Sequence, residues 1–346
     1  MTPYFNISLQ ITFNDNVIVS RVERISMQSS VESITDKATI VLPREYRNAI
    51  IKDTTNGSTL AGTPILNLMK VGDKVKIEGG YDDHLQTEFE GYITSIHADI
   101  PLVIECEDES WQLKRTKRFN KTFTNTTVKK ILQYIAPNYK LELFGEDRPI
   151  GKIAIENATA YEVLIQLKEK YFVRSFFRNG VLNAGLPVNL KGYAVHQFNL
   201  NRNVRRGTDL TYQTKESRRM YVKAKSLQKG TSKYVYYEFG DKDGEVKELT
   251  APMNLKKTDL EKFAKDYFES FVYDGYSGSF SSWAIPQTRA GDTADLIDPN
   301  YPDKHRDGRF YITDVAIDIN GSDGYKRTNK ISKRLSGNNF DPSIKR

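Results

Sequence analysis

The chain has 346 residues, a formal net charge of +7 and 38% hydrophobic residues. That length exceeds what one hydrophobic core supports, so two or more domains are expected, and mixed charges on ordinary apolar content exclude wholesale disorder. No run approaches the ~18 apolar residues that span a bilayer, and the opening Met1-Thr2-Pro3-Tyr4-Phe5 has neither a basic segment nor an apolar stretch of signal-peptide length. The expectation is a chain made in a cytoplasm, without a membrane anchor. The sole cysteine, Cys106, fits that compartment and sits in an alternating segment that reads as core.

Twenty Tyr and seventeen Phe against five Met, with many short Val/Ile/Thr-rich runs, predict a β-dominated α+β fold. Asn6 to Phe13 alternates, Asn14-Asp15-Asn16 supplies a turn, and Val17-Ile18-Val19 resumes, which predicts an antiparallel hairpin. Strands follow at Ala38–Leu42, at Lys74–Ile77 ending at Gly79-Gly80, at Phe89–Ile96 and at Leu102–Cys106. A Thr/Gly/Asn-rich stretch from Asp53 to Pro64 reads as a mobile loop.

Beyond Trp111 the period changes. Thr124 to Thr127 offer caps for a helix carrying Val128, Ile131, Leu132 and Ile135, which Pro137 stops. Thr159 and Glu162 form a capping box for a second helix with Leu164, Leu167 and Tyr171 inward, and Asn179-Gly180 marks a tight hairpin. Strands return at Met220–Ala224 and Tyr234–Phe239. A third helix is expected from Thr258, boxed by Glu261, with Leu260, Phe263, Ala264, Tyr267, Phe268 and Phe271 as its apolar stripe. Two strands, Arg309–Ile319 and Lys326–Leu335, precede a polar tail from Ser336.

Two distant segments are alike. Lys70-Val71-Gly72-Asp73 with the strand after it parallels Arg289-Ala290-Gly291-Asp292 with its own. At the same offset of 219 residues, Tyr92-Ile93-Thr94-Ser95-Ile96-His97-Ala98-Asp99-Ile100 parallels Tyr311-Ile312-Thr313-Asp314-Val315-Ala316-Ile317-Asp318-Ile319, with five of nine positions identical. A Gly-Asp turn before an alternating strand is common alone, because Gly admits positive φ and Asp bonds its own backbone. Two blocks in one register are more specific. They predict one antiparallel, tail-tube-like β-barrel occurring twice, with two smaller α/β insertions. The expected division is 1–112 for the first barrel, 113–190 for a mixed domain, 191–235 plus 285–346 for the second barrel, and 236–284 for an inserted hairpin-helix domain.

On Val71 to Ile77 with Gly80-Tyr81, Phe89-Glu90-Gly91-Tyr92-Ile93, Glu107-Asp108, Leu113-Lys114-Arg115, Ala290-Gly291-Asp292, Gly308 to Ile312 and Gly324 to Arg327, the sequence resembles the tail hub proteins of phage baseplates. These include late-control D-type and Mu-like tail proteins and the hub part of type VI secretion spike proteins. The resemblance implies a virion or injection-particle component without enzymatic activity, a homotrimer adapting a six-fold tail tube to a three-fold spike. Its partners would be the tail-tube protein, a separate spike protein and baseplate components. The chain lacks the long C-terminal repeats and lysozyme-like segment of some type VI members.

Chemistry is sparse. His84, His97, His196 and His305 have no ligand-like spacing, and no nucleophile elbow or phosphate loop occurs, so neither metal nor cofactor is expected. Glu105, Glu107, Asp108 and Glu109 offer paired carboxylates, but on an alternating strand the three glutamates share a solvated face. Lys114, Arg115, Lys117, Arg118, Lys121, Lys129 and Lys130 form a run without acids from Trp111 onward, read first as a subunit or tube contact and second as a phosphate grip. Two rival functions follow: a nucleic-acid-binding β protein using residues 114–130, and a tail-associated glycan hydrolase using the acidic cluster.

Overall fold

Alternation of apolar and polar residues becomes strand almost throughout. The structure, a computed structural model, describes residues 6–42, 52–53, 68–97, 100–147, 149–186, 192–228, 233–251 and 253–335. The stretch 54–64, Ala98, Asp99 and the tail from Ser336 lie outside the described residues.

The first part holds β1 (Ile7–Phe13), β2 (Val17–Val19), β3 (Arg24–Ser30), β4 (Lys37–Leu42), β5 (Lys52–Asp53), β6 (Lys74–Tyr81), β7 (His84–His97) and β8 (Leu102–Glu107). The middle holds α1 (Ser110–Lys114), β9 (Phe119–Thr127), α2 (Val128–Ile135), β10 (Lys140–Phe144), β11 (Pro149–Ala158), α3 (Ala160–Tyr171), β12 (Arg174–Arg178) and β13 (Val181–Gly185). The last part holds β14 (Val195–Asn199), β15 (Thr211–Gln213), β16 (Met220–Leu227), β17 (Tyr234–Gly240), β18 (Glu245–Thr250), α4 (Lys257–Phe271), β19 (Gly275–Ser282), β20 (Thr293–Ile297), β21 (Gly308–Asn320) and β22 (Gly324–Arg334).

Fourteen of these strands form one sheet, within which the order β6-β7-β8-β4-β3 recurs as β20-β21-β22-β19-β15. The two runs are joined directly: the second half of β21 pairs antiparallel with β3, from Asp314 opposite Ser30 to Asn320 opposite Arg24. Inward residues of both runs fill one core, Ile25, Ile40, Ile77 and Ile104 from the first and Phe280, Phe310, Ile312 and Val315 from the second. Each such side chain contributes about 1.5–3 kcal/mol on full burial. Among the described residues no sheet closes into a barrel, so the β-dominated class holds while the strands build a shared open wall.

In the middle part, Thr127 caps α2 by accepting from Lys130 N, and Thr159 with Glu162 forms the capping box of α3. Ile131, Leu132, Val163, Leu164, Leu167 and Leu182 make its core.

Three local expectations shift. β6 continues through Gly79-Gly80 to Tyr81, because Gly79 packs under Tyr325 and Gly80 against the His84 carbonyl, where a Cβ has no room. α4 starts at Lys257 without a side-chain cap, and Glu261 is held by Lys265 at 2.7 Å instead of boxing the N-terminus. β16, expected within the second barrel, pairs with β17 and β18 over α4, whereas β19 joins the large sheet. Alternation specifies a strand but not the sheet it enters. No helix among the described residues is long and apolar enough to cross a membrane.

Candidate assembly site

The two Gly-Asp turns have the same backbone. Gly72 and Gly291 lie at φ +95° and +96°, each donating its N–H to the strand opposite, Ile93 O at 2.8 Å and Ile312 O at 2.9 Å. The return bonds match, Ile93 N to Asp73 O and Ile312 N to Asp292 O, both 2.9 Å. Each aspartate folds back on its own turn: Asp73 Oδ2 accepts from Lys70 N and Asp292 Oδ2 from Arg289 N, both at 2.9 Å. An aromatic ring covers each glycine, Trp111 over Gly72 and Tyr193 over Gly291.

Beyond the turns the registers coincide at the 219-residue offset. Lys74 faces Tyr92 and Ile77 faces Phe89, as Thr293 faces Tyr311 and Leu296 faces Gly308. Both long strands carry a bulge at the same place, around Thr94 and Thr313. The Thr94 hydroxyl donates to Glu105 O on the neighbouring strand at 3.1 Å, and the Thr313 hydroxyl lies 3.3 Å from Lys330 O on its own neighbour and 2.7 Å from the Asp314 carboxylate. Bulges fix register and add twist, so the two runs bend alike.

The turns differ in their bracing. Asn14 donates to Asp73 Oδ1 at 2.8 Å, whereas Asp292 takes Arg178 at 2.7 Å and His196 at 3.0 Å. Burial pushes the Asp292 carboxyl up, but the bond from His196 and the Arg178 charge outweigh it and hold the group below its ordinary value. Tyr92 stacks on Trp111 and donates to Glu109 at 3.2 Å; Tyr311 is buried with a hydroxyl that has no partner among the described residues, and burial pushes its pKa up. A further difference is the strand beside the turn: β1 runs antiparallel to β6, but β14 runs parallel to β20.

The basic run is largely tied down internally. Lys114 pairs with Glu107 at 2.7 Å, Arg115 lies over Trp111, Arg118 meets Glu162 at 3.3 Å, and Lys121 stands over Phe123 and Tyr134, while Lys117 is exposed. The acidic cluster is likewise dispersed. Glu105 accepts from Ser95 at 2.7 Å, and Glu109 lies beyond the strand end, bonded by Tyr92 and by Tyr139 at 2.9 Å. Asp108 is buried, and desolvation pushes its carboxyl up to about 7. With Asp36 and Glu109 it lines a 310 Å³ cavity that also meets Arg178 and Arg289. Among the described residues no group of three or more His, Cys, Asp or Glu is arranged to hold a metal.

Two features gave no local sequence signal. One is the β3–β21 pairing; the other is the buried ion pair of Glu88 with Arg327, 2.5 Å apart. Both depend on residues far apart in the chain.

This architecture is the fold of phage tail and type VI secretion tail proteins. A tail protein from Neisseria meningitidis MC58 superposes with TM-score 0.64 at 15% identity, over 96% of this chain and 97% of that one. The 43 kDa tail protein of prophage MuSo2 from Shewanella oneidensis gives TM-score 0.64 at 14% identity, over 97% and 100%. An Escherichia coli component of the type VI secretion system, itself described as similar to the T4 tail proteins gp27 and gp5, gives 0.57 at 12% identity, over 94% and 77%. The sequence matches no family model and no curated protein.

Proposed function

We propose that this chain is a structural hub of a phage or contractile injection tail, assembling as a homotrimer that adapts a six-fold tail tube to a three-fold central spike. One observation carries the reading: a single polypeptide holds the same five-strand run twice, with matching turns, bulges and registers, the runs set edge to edge. Three such chains present six similar walls to a six-fold partner while keeping three-fold symmetry toward another. Completed by its neighbours, each run forms one tube-like barrel position of the ring. Similarity over nearly the whole chain to tail proteins supports this. The partners are the tail-tube protein, a separate spike protein and baseplate components, and the chain works as part of the assembled particle. Because most of the 114–121 cations already have internal partners, this reading is favoured over a phosphate grip.

Light scattering on the purified chain tests it. The expected result is a trimer whose electron-microscopic class averages show a ring of six similar lobes. A monodisperse monomer at micromolar concentration overturns it.

A further inference from the structure

The β3–β21 junction inside the chain specifies how two chains meet. β21 has three neighbours: β20 on its first half, β22 along one edge, and β3 along the other edge of its second half. Its counterpart β7 pairs with β6 and β8 in the same way, but among the described residues the edge of Ser95–His97 turned away from β8 has no strand partner. At the far end of the sheet, β15 pairs with β19 on one side and among the described residues has no strand on the other. β15 occupies in the second run the place that β3 occupies in the first.

The registers give residue-level correspondence. Ala38 faces Cys106, which faces Ile93; Gly278 faces Ile331, which faces Ile312, so Gly278 corresponds to Ala38. One step along, Ser277 corresponds to Lys37, and their partners are Thr211 and Gln28. Thr211, Tyr212 and Gln213 therefore stand where Gln28, Ser29 and Ser30 stand. Those three face Ala316, Val315 and Asp314, whose counterparts at the 219-residue offset are His97, Ile96 and Ser95.

Resting on the trimeric reading above, we infer that β15 of one chain adds antiparallel to β7 of the next, with Gln213 opposite Ser95, Tyr212 opposite Ile96 and Thr211 opposite His97. The side chains agree. Ile96 and Tyr212 both pack against the large core, so the seam continues its apolar face. Ser95, His97, Thr211 and Gln213 fall on the opposite face. Among the described residues the buried Gln213 Oε1 has no hydrogen-bond partner; the Ser95 hydroxyl that the seam sets opposite it donates to Glu105 within its own chain and would have to turn from that carboxylate to reach it. Each chain carries one donor edge and one acceptor edge, a head-to-tail contact that closes into a ring and leaves neither strand edge bare.

Cysteine pairing tests the register. Cys106 is buried and gives no background. The chain carrying Ser95→Cys and Gln213→Cys, oxidised with copper phenanthroline, should give covalent dimers and trimers on a non-reducing gel. The chain carrying Ser95→Cys and Thr211→Cys should stay monomeric there, since two residues along a strand move the Cα by about 7 Å and out of disulfide reach. Hydrogen exchange on the unaltered protein is independent of the variants' folding: amides 95–97 and 211–213 should both be protected in the trimer. A trimer by light scattering with neither cross-link nor protection overturns the seam and leaves the hub reading standing. A monomer overturns both.

Discussion

Arg327, with no exposed surface, places Nη2 2.5 Å from Oε1 of Glu88, tying β22 to β7 across 239 residues of chain. Tyr325 donates to the same oxygen at 2.6 Å and Arg327 Nη1 donates to Thr288 O at 2.8 Å, so Oε1 takes two bonds and both terminal nitrogens of the guanidinium are engaged, while Nε has no partner among the described residues. A buried pair of this kind adds little over apolar packing, but removing one partner strands a charge. Arg327→Met should destabilise by about 3–5 kcal/mol, and adding Glu88→Gln should restore a large part of it. Denaturant melts of the wild type, both single variants and the double variant read this directly. A double variant no better than Arg327→Met disproves the coupling. By comparison, Arg24→Ala, which breaks the exposed pair with Asp318, should leave the melt close to that of the wild type.

The paired turns give a matched prediction. Gly72 and Gly291 sit in a backbone region that L-residues avoid, and a Cβ would approach Trp111 at 3.3 Å and Tyr193 at 3.1 Å. Gly72→Ala and Gly291→Ala should each cost about 1–2 kcal/mol, and the two costs should agree closely. Equilibrium urea unfolding measures both. A turn that accepts alanine freely while its counterpart does not would show that the two are not mechanically equivalent.

Local chemistry explains what was legible in the sequence. The Asn14-Asp15 turn, the Thr127 cap and the Thr159–Glu162 box are short-range devices, and each forms where its residues announce it. The Gly-Asp turns belong to the same class. Sheet membership is different, because strand pairing joins residues that nothing in their neighbourhood marks as partners. Hence nothing local marks β16 as the partner of β17 and β18, or β3 as the partner of β21. Arg327 also hid: in Tyr325-Lys326-Arg327-Thr328-Asn329 the inward positions hold Tyr, Arg and Asn, so polarity gave no inward signal. Its clue was alternation with Tyr325 and Ile331.

The basic run should not grip DNA. Lys114 and Arg118 are paired with acids, and Arg115 and Lys121 lie over aromatic rings at 4.6 and 4.3 Å, contacts worth about 0.5–1 kcal/mol each at exposed sites. Phosphate binding would have to break them. Gel-shift titrations at low salt with single- and double-stranded DNA should show no salt-sensitive complex, and Lys117→Glu should change nothing. A complex that weakens steeply with added salt would revive the nucleic-acid reading.

The last prediction concerns pH. Asp108 is buried beside the half-buried Asp36; desolvation pushes both carboxyls up, and the nearness of Asp108 pushes Asp36 further. Asp108 Oδ1 accepts from Ser110 N at 3.1 Å, while Oδ2 has no partner among the described residues. A carboxyl whose folded pKa lies above its unfolded one binds its proton more tightly in the native state. Its contribution is therefore full at low pH and is lost as pH rises from about 4 toward 7. Asp108→Asn keeps an oxygen for Ser110 and removes the ionisation, which also relieves Asp36. The variant should match the wild type near pH 3 and exceed it by about 1–3 kcal/mol at pH 8. Urea melts across that range decide it: a stability difference that does not change with pH would mean that Asp108 is not the group that titrates.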